Sequence, residues 1–400
     1  MLGLPSLASN HKPERKFLYI FNDGGWDPFC TFVPHFGVSG VEMEEGAEPS
    51  LYGNIPVVEH VSRPSFGHFM GQYGDRLCVI NGMELRSVTH QRCTQLLMTG
   101  KSSNNVDDWP SIIAAEAKYP YPTPHLVLRG PAYSNTYSSF VVRAGSSGQL
   151  TQLLDSSSVF TQYPPLPDQE SLETQYIQQQ LGRINRKGRS EELRNGYLRA
   201  LEQLDQISED FSSVNLEGVN TGCIRNIVED ANNAFILFSK EFARSAIISY
   251  RGVCDLSWDT HADHITQQEN NEEFFGFLSQ IMSNLESSTN IEGAPLIDDV
   301  VVVVISEMGR SPAFNTYGGR DHWTYTSAML LGSGIKGNQS LGGLDNNALG
   351  LPISLETGEI TTNGTHILPQ HLGATLLAMG DIDFSRYVTS DTSPIWAALS

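Results

Sequence analysis

The sequence predicts an α/β protein whose central sheet is mostly parallel and is flanked by helices. Short apolar runs end at turn residues, and the strongest, residues 300–305, is almost entirely valine. Such a run is typical of a strand that is buried on both faces. Helical stretches alternate with these runs, as in doubly wound α/β domains. A chain of 400 residues, 40% of them hydrophobic, is long enough for one large domain of this kind.

The predicted strands follow from the apolar runs. The first comprises residues 17–22 and ends in a tight turn at Asp23 and two glycines. Residues 77–81 repeat this design, and residues 126–128 are a weaker candidate. Since strands that are apolar on both faces share parallel sheets, we expect 17–22, 77–81 and 300–305 to be neighbours in one sheet.

Helices are predicted between and after these strands. One covers residues 109–118. Residues 87–100 are predicted to run from a loop into a helix of about two turns, with Gly100 as its C-cap.

Residues 150–250 differ from the rest of the chain. Residues 169–211 are rich in Glu, Gln, Leu and Arg, and their leucines step by three and four, the period of an amphipathic helix. A second helical stretch is predicted from 224 to 245. We predict a single domain of residues 15–400 with a helical insertion at about 165–250 that packs on the core. A lid over a site is the alternative.

The N-terminus and the cysteines bear on localisation. Residues 1–14 are expected to be a flexible terminus, and their small apolar start is compatible with the remnant of a secretory signal. That interpretation predicts an exported, periplasmic or extracellular protein; an ordinary terminus predicts a cytoplasmic one. The five cysteines contain no CxxC pair, so mostly buried thiols are expected, with one bridging pair as the alternative.

The charge excludes some partners. There are 25 basic and 45 acidic residues, a net charge of −20. A nucleic-acid partner would require a basic face, so none is expected. No apolar run approaches the ~18 residues of a membrane span, so no membrane insertion is expected either. The oligomeric state cannot be read from the sequence.

Carboxylates follow the two strongest strands. Asp23 and Asp27 follow the strand at 17–22, and Glu307 follows the strand at 300–305. Sites in parallel sheets form at the carboxyl ends of the strands. We therefore expect Asp27 and Glu307 at the same edge of the sheet.

Two further clusters contain metal-ligand side chains. In the first, Asp259 and His261 point to one side of an extended segment, and His264 follows shortly after. In the second, Asp321 and His322 lie on a glycine-rich loop that can approach a site closely. Mixed carboxylate and imidazole ligands suit zinc, manganese, iron or nickel. Each cluster alone is also explained by hydrogen-bonded loop histidines or helix-capping aspartates.

A third element is the start of the helix within 87–100. Thr89 and His90 would lie at its positive end, where an anion binds. A plain N-cap from Ser87 or Thr89 is the alternative.

These motifs together carry a family resemblance. They are Gly-Gly-Trp-Asp at 24–27, Thr-His at 89–90, Leu-Leu-Met-Thr-Gly at 96–100, Asp-Thr-His at 259–261, Ser-Glu-Met-Gly-Arg at 306–310 and Gly-Arg-Asp-His at 319–322. The set resembles the bacterial Domain of Unknown Function 1501 family (DUF1501), a distant relative of the sulfatases and alkaline phosphatases. The resemblance extends over residues 15–385, and the stretch 373–380 looks like the closing helix of that superfamily.

The resemblance implies a phosphatase-like core with one or two divalent cations, zinc, manganese or another transition metal. Asp27, or Asp23, takes the place of the first-strand metal carboxylate. Asp259 and His261 would share one metal, with His322 and its neighbour Asp321. Glu307 looks like the ligand of the second metal. There the superfamily often has Asp followed by His, whereas this chain has Glu followed by Met, which puts that metal in doubt.

The nucleophile is also open. The sulfatase pattern places it ten residues before Gly100, which is His90 here; Thr89 is adjacent, and Cys93 is misaligned. A water activated by the metal is another candidate, and loss of the chemistry is a third. Arg310 and Arg320 would neutralise an anionic substrate.

The sequence therefore predicts a metal-dependent hydrolase of phosphate or sulfate esters that acts on a small anionic ester. His264 or His322 would be a general acid. A mutase or transferase on the same core is the enzymatic alternative. The non-enzyme alternative is an exported metal- or partner-binding protein on a degenerate core. Asp259, His261 and His322 are expected close enough together to share one cation.

Overall fold

The computed structural model describes residues 14–144 and 227–400. Its strands, in chain order, are β1 Lys16–Asn22, β2 Glu48–Tyr52, β3 Ile55–Glu59, β4 Leu77–Glu84, β5 His125–Val127, β6 Val141–Arg143, β7 Ser245–Tyr250, β8 Val300–Ser306, β9 Gly309–Arg310, β10 His322–Trp323, β11 Tyr325–Gly332 and β12 Gln339–Gly342. The α-helices are α1 Pro64–Tyr73, α2 His90–Thr99, α3 Trp109–Ala115, α4 Ile227–Ser239, α5 Ile265–Ser287 and α6 Pro369–Met379.

An eight-stranded sheet forms the centre of the molecule, in the order β12-β4-β11-β8-β1-β7-β5-β6. Among these strands β11 alone runs antiparallel to its neighbours β4 and β8, and the other pairs are parallel. The prediction of a mostly parallel sheet flanked by helices is confirmed.

Helices cover both faces of this sheet because its strands are apolar on both sides. Along β1, Leu18 and Ile20 face a core that includes side chains of α1, α4 and α5. Phe17, Tyr19 and Phe21 face a second core that includes side chains of α2, α3 and α6. This alternation follows from the period of two in a strand.

The predicted strands are present, but one neighbour relation is wrong. Residues 17–22 and 300–305 pair directly as β1 and β8. Residues 77–81 lie in β4, which is separated from β8 by the unpredicted strand β11. The run 325–332 contains Thr, Ser, Ala and Gly, so its apolar signal is weaker than that of β8. The weak candidate at 126–128 corresponds to β5.

The boundary expected for the helical insertion is also wrong at its C-terminal side. Residues 245–250 form β7, a fully buried strand between β1 and β5. A short apolar run of this kind cannot be told from a helical segment by periodicity alone. Helix α4 lies within the second predicted helical stretch. The rest of the proposed insertion, and the N-terminal residues 1–13, lie outside the described residues.

The remaining observations concern helix ends, cysteines and helix length. Helix α2 ends at Gly100, which has a φ of 65° as a left-handed C-cap, and α3 ends at Ala115, earlier than expected. Cys30, Cys78 and Cys93 are buried free thiols, whereas Cys254 is disulfide-bonded. In the described part of the chain, no helix is both long and apolar enough to cross a membrane.

Candidate metal centre

Four side chains converge at the carboxyl edge of the sheet. We call them the histidine cluster: His90, Asp259, His261 and His322. His90 is the first residue of α2, and His322 begins β10. Asp259 and His261 lie on the segment that follows β7. The expectation that Asp259, His261 and His322 lie within a few ångströms of one another agrees with these contacts.

A glycine turn holds this segment in place. Gly24 has a φ of 126°, and a Cβ there would clash with Ser257 and with the backbone of Asp259. Glycine is therefore required where the turn after β1 packs against the ligand segment. Gly319 has the same function on the other side, because its Cβ would clash with the carbonyl of His261.

His261 and His322 each have one ring nitrogen fixed by an acceptor outside the cluster. His261 Nδ1 lies 3.1 Å from Asp321 Oδ1, and His322 Nδ1 lies 2.7 Å from the carbonyl oxygen of Val88. Both acceptors assign the proton to Nδ1. The two Nε2 atoms are then left with lone pairs, and they lie only 2.9 Å apart.

His90 is oriented in the same way by a buried carboxylate. Its Nδ1 lies 2.7 Å from Glu307 Oε1. Its Nε2 is buried without a hydrogen-bond partner and lies 3.3 Å from Asp259 Oδ2. Asp259 and Glu307 raise the pKa of His90 to about 9, against the opposing effect of burial.

Asp259 is the anionic member at the centre of the cluster. Its Oδ1 lies 3.1 Å from His261 Nε2 and 3.0 Å from His322 Nε2. Arg310 Nη2 donates to the same oxygen at 2.8 Å. Burial alone would raise the pKa of Asp259, but the neighbouring His322, His90 and Arg310 side chains hold it well below its usual range.

This arrangement fits a transition-metal cation. Ligating histidines in proteins donate their second ring N–H to a carboxylate or carbonyl, and all three imidazoles here do so. Ligand atoms of His90, Asp259 and His322 all lie within 4.8 Å of one another. Three imidazoles and one carboxylate are a ligand set that zinc accepts. The unpartnered His90 Nε2 is the atom that most needs such a partner.

Glu307 contacts the histidine cluster only through His90. It is fully buried, and its Oε1 accepts from His90 Nδ1 and, at 2.9 Å, from the Gly24 amide. It thus occupies the edge predicted from the end of the strand, but it acts through His90. This geometry argues against its predicted role as the ligand of a second cation.

Arg310 is buried and fully engaged with the protein. Its guanidinium donates to the carbonyls of Gly24, Gly25 and Trp258 and to Asp259. It therefore ties the glycine turn to the ligand segment. Because its side chain is completely inaccessible, the expected contact with a substrate does not agree with the structure.

A second group of ligand-type side chains lies beside the first. We call it the arginine-paired cluster: Asp27, Cys30, Glu44 and His264, with Arg63 and Arg320. Asp27 Oδ2 lies 2.9 Å from Arg320 Nε, and Glu44 Oε2 lies 2.6 Å from Arg63 Nη1. Two carboxylates face two guanidinium groups, so the charges cancel without an added cation.

Three expected site residues are members of this second cluster. Asp27 accepts from Phe29 N at the start of a short 3-10 helix, Pro28–Cys30. Arg320 is 2% exposed and donates to the carbonyls of residues 42, 311 and 312. His264 Nε2 lies 3.5 Å from Glu44 Oε2. The structure therefore does not bring Asp27, Arg320 and His264 together with the histidine cluster.

The two side chains considered beside His90 as nucleophiles differ in exposure. Thr89 is the exposed N-cap of α2 and makes no capping bond with its side chain. The thiol of Cys93 is buried, and burial raises its pKa. Asp23, the other first-strand candidate, forms an exposed pair with Arg251 at 3.1 Å.

Two arginines at the same edge were missed from the sequence. Arg251 directly follows β7, and Arg129 follows β5, the strand next to β7. The signal that would have revealed them is the residue that follows each strand. The sequence does not reveal this signal for Arg251, because β7 cannot be told from the predicted helical insertion by periodicity.

Several solved structures are similar to this chain at low sequence identity. One is a protein of the alkaline phosphatase superfamily from Vibrio parahaemolyticus (10% identity, TM-score 0.42, covering 93% of this chain and 68% of that chain). Another is the soluble domain of lipooligosaccharide phosphoethanolamine transferase A from Neisseria meningitidis (12%, 0.43, 98% and 95%). A third is a sulfatase from Pseudoalteromonas sp. (9%, 0.41, 97% and 72%). Likeness at this level assigns no activity.

The sequence itself matches the model of one family over nearly its whole length. That family is described as "Protein of unknown function (DUF1501)", and the match covers residues 14–389. The chain therefore belongs to the DUF1501 family, which confirms the resemblance drawn from its motifs. No curated protein matches the chain at a significant level.

Proposed function

We propose that this protein is a metal-dependent hydrolase of phosphate or sulfate esters whose centre is the histidine cluster. The observation that carries the proposal is the orientation of three imidazoles. Each has its Nδ1 proton held by an acceptor, so the three Nε2 atoms are available beside Asp259. Imidazoles fixed in this way would bind a cation without first turning their rings. His90, whose pKa is raised to about 9, would release a proton when the cation binds.

A divalent cation held there would supply positive charge to an ester oxygen and would lower the pKa of a nearby water. The protein would hold the cation with His90, His261, His322 and Asp259. Glu307 and Asp321 keep the rings of His90 and His261 in place. The cluster is open to substrate, because the side chains of His90 and Asp259 are each 35% exposed.

Direct attack by water suits this centre better than a covalent intermediate. His90 lies where the resemblance would place a nucleophile, and its ring is tied to Glu307. Among the described residues nearby, Cys93 is buried with a raised pKa, and the Ser306 hydroxyl is bonded to the backbone of Asn22 and Trp26.

The non-catalytic alternative has specific support as well. Both arginines that were expected to meet the anionic ester are buried in carbonyl contacts. A protein that only binds a metal or a partner would need neither a nucleophile nor a substrate arginine. We keep this alternative as the second candidate.

One experiment separates the two candidates. Purified protein is loaded with zinc or manganese, its bound metal is measured by elemental analysis, and hydrolysis of 4-nitrophenyl phosphate and 4-nitrophenyl sulfate is followed. We expect bound metal and metal-dependent hydrolysis. Bound metal without hydrolysis of any ester tested would favour the metal-binding protein. Absence of metal binding would contradict the hydrolase and favour a partner-binding protein.

We also propose that the protein works outside the cytoplasm. Support comes from the disulfide at Cys254, since disulfides persist mainly in oxidising compartments. Alkylation of the unreduced protein should label Cys30, Cys78 and Cys93 after denaturation but leave Cys254 unlabelled. Labelling of Cys254 without reductant, or recovery of the protein only in the cytoplasm, would contradict this proposal.

A further inference from the structure

A cavity lies at the carboxyl edge of the sheet, and Thr94 of α2 contributes to its lining. It has a volume of about 450 Å³. It lies between the ends of β1, β5 and β7 and the first turns of α2. The polar side chains that line it are Asp23, Thr94, Arg129, Ser249 and Arg251.

Two arginines reach this cavity from neighbouring strands. Arg251 directly follows β7, and Arg129 follows β5 by two residues. Because β5 and β7 are parallel and adjacent, their ends bring both guanidinium groups to the same edge. This pairing of positive charge is notable in a chain with a net charge of −20.

Arg129 has hydrogen-bonding capacity that the described residues leave unused. Its side chain is only 14% exposed, and the Nε and Nη1 atoms are buried without a hydrogen-bond partner. Asp230 Oδ2 lies 4.0 Å from Nε, which provides charge attraction but no hydrogen bond. Buried donors of this kind are normally satisfied, so an acceptor from outside the protein fits here.

Arg251 is placed to assist from the other side. Its Nε lies 3.1 Å from Asp23 Oδ2, and its side chain is 49% exposed. The carboxylate of Asp23 therefore orients Arg251 at the mouth of the cavity. Guanidinium carries five N–H groups, and beyond this contact with Asp23 the described residues offer no hydrogen bond to the others. These donors can therefore meet a ligand.

The cavity is close to the proposed centre of chemistry. Thr94 lies one helical turn after His90 on α2, and its hydroxyl donates to the His90 carbonyl at 2.8 Å. One turn of helix corresponds to ~5.4 Å along the axis. Asp23 is next to Gly24, whose amide donates to Glu307. A ligand the size of a sugar bound in the cavity would therefore extend towards the histidine cluster.

We infer that this cavity is a subsite for a second anionic group of the substrate, a sulfate, phosphate or carboxylate, while the ester to be cleaved lies at the histidine cluster. That the anionic group belongs to a substrate rests on the proposed function; the anion site itself does not. Arginine is suited to such groups because its planar donors match their oxygens in pairs. The two arginines thus take over the charge-neutralising role that Arg310 and Arg320 cannot perform.

The test measures anion binding, which does not depend on ester hydrolysis. Metal-free full-length protein is titrated by calorimetry at low ionic strength with inorganic sulfate, phosphate and acetate in separate runs. The variants are Arg129→Gln and Arg251→Gln. Arg76→Gln is the matched control, because Arg76 forms a similarly half-exposed ion pair with Glu286 elsewhere. His322→Ala reports on binding at the histidine cluster.

We expect sulfate or phosphate binding that both cavity variants weaken by about 10-fold or more, while Arg76→Gln and His322→Ala bind like the wild type. Tighter binding of acetate would identify a carboxylate as the preferred group. Binding that is lost in His322→Ala but kept in Arg129→Gln would overturn the inference, as would an absence of anion binding. Arg251 is half exposed, so Arg251→Gln keeps the test decisive if Arg129→Gln does not fold. Failure of ester hydrolysis alone would refute the proposed function and leave an anion site.

Discussion

The histidine cluster and the arginine-paired cluster contain similar side chains but differ in how their charges are balanced. In the first, His261 and His322 turn their Nε2 lone pairs towards each other at 2.9 Å. In the second, Asp27 and Glu44 already face Arg320 and Arg63. Arg310 also pairs with Asp259 in the histidine cluster, so the difference lies in the imidazole lone pairs, which no donor among the described residues satisfies. A set of imidazoles and carboxylates therefore indicates a metal site when its imidazole lone pairs lack a donor.

The electrostatics of the second cluster support this distinction. Burial alone would raise the pKa of Glu44, but hydrogen bonds from His264 and Arg63 lower it. Burial and the neighbouring Asp27 carboxylate raise the pKa of the Cys30 thiol well above its ordinary value. Cys30 thus stays a neutral thiol, whereas a metal ligand would have to be a thiolate.

The largest expected effect comes from exchanging one histidine in each cluster. His322→Ala should weaken metal binding by more than about 100-fold, since loss of an outer-shell partner alone costs ~10–100-fold. His264→Ala, the matched control, should keep its metal. The measurement is elemental analysis after equilibration with a fixed free zinc concentration. Equal metal loss in both variants would abolish the distinction between the clusters.

The next largest effect concerns stability. Asp27→Asn leaves the buried Arg320 without its counter-charge, so the free energy of unfolding should fall by about 3–5 kcal/mol, with metal content unchanged. Asp23→Asn is the control, because its pair with Arg251 is half exposed and should contribute no more than about 1 kcal/mol. Chemical denaturation measures both. If Asp27→Asn loses metal instead, Asp27 is a ligand after all.

A smaller effect on metal affinity is expected when Asp321, which orients the His261 ring, is replaced. Asp321→Asn removes the carboxylate that accepts from His261 Nδ1, so metal affinity should fall by about 10-fold. Asp383→Asn, an exposed helix cap, is the control. Competition with a chromophoric chelator gives both affinities. An unchanged affinity in Asp321→Asn would mean that His261 does not bind the cation.

One contribution to the loss of stability in acid comes from His125, which lies outside both clusters. Burial lowers the pKa of His125 to about 3. Between pH ~6.5, the unfolded pKa, and pH ~3, the unfolded chain therefore binds one more proton than the folded chain. The free energy of unfolding decreases by up to about 1.4 kcal/mol for each unit by which the pH is lowered through this range. Denaturation of His125→Asn at several pH values should show a shallower loss between pH ~6.5 and ~3. The same slope in wild type and variant would rule out this residue.

The smallest effect is expected at Thr89. Its side chain is exposed and makes no capping bond, so Thr89→Ala should change the free energy of unfolding by less than about 0.5 kcal/mol. If water attacks directly, ester hydrolysis should persist in this variant. A complete loss of hydrolysis in stable, metal-loaded Thr89→Ala would instead identify Thr89 as the nucleophile.

The sequence predicted the parts of the site that are local in the chain. Asp259 and His261 share a side of one segment, and Gly319 allows His322 to approach them. The strand runs at 17–22 and 300–305 placed Glu307 at the correct edge. All of these follow from periodicity and from the residue that ends each strand.

What the sequence did not predict depends on partners distant in the chain. Asp27 and Arg310 each meet an opposite charge, Arg320 and Asp259 respectively, that only the folded chain brings near. Their expected roles in the site take no account of these pairs. The strand β7 was missed because a short apolar run beside helical sequence has no distinguishing period. Without β7, the sequence does not predict that Arg251 and Arg129 lie at the same edge of the sheet.

The reversed direction of β11 has a consequence for how such proteins can diversify. A parallel return would have required a crossover ending at the opposite edge of the sheet. Because β11 is antiparallel to β8, the chain leaves the sheet at Ser306 and re-enters it at Tyr325 on the same side. Residues 307–324 therefore form a segment whose two ends are fixed by β8 and β11 and whose two arms pair with each other as β9 and β10. Exchange of this segment between members of the family would replace one of the four proposed ligands, His322, without disturbing a single strand of the central sheet.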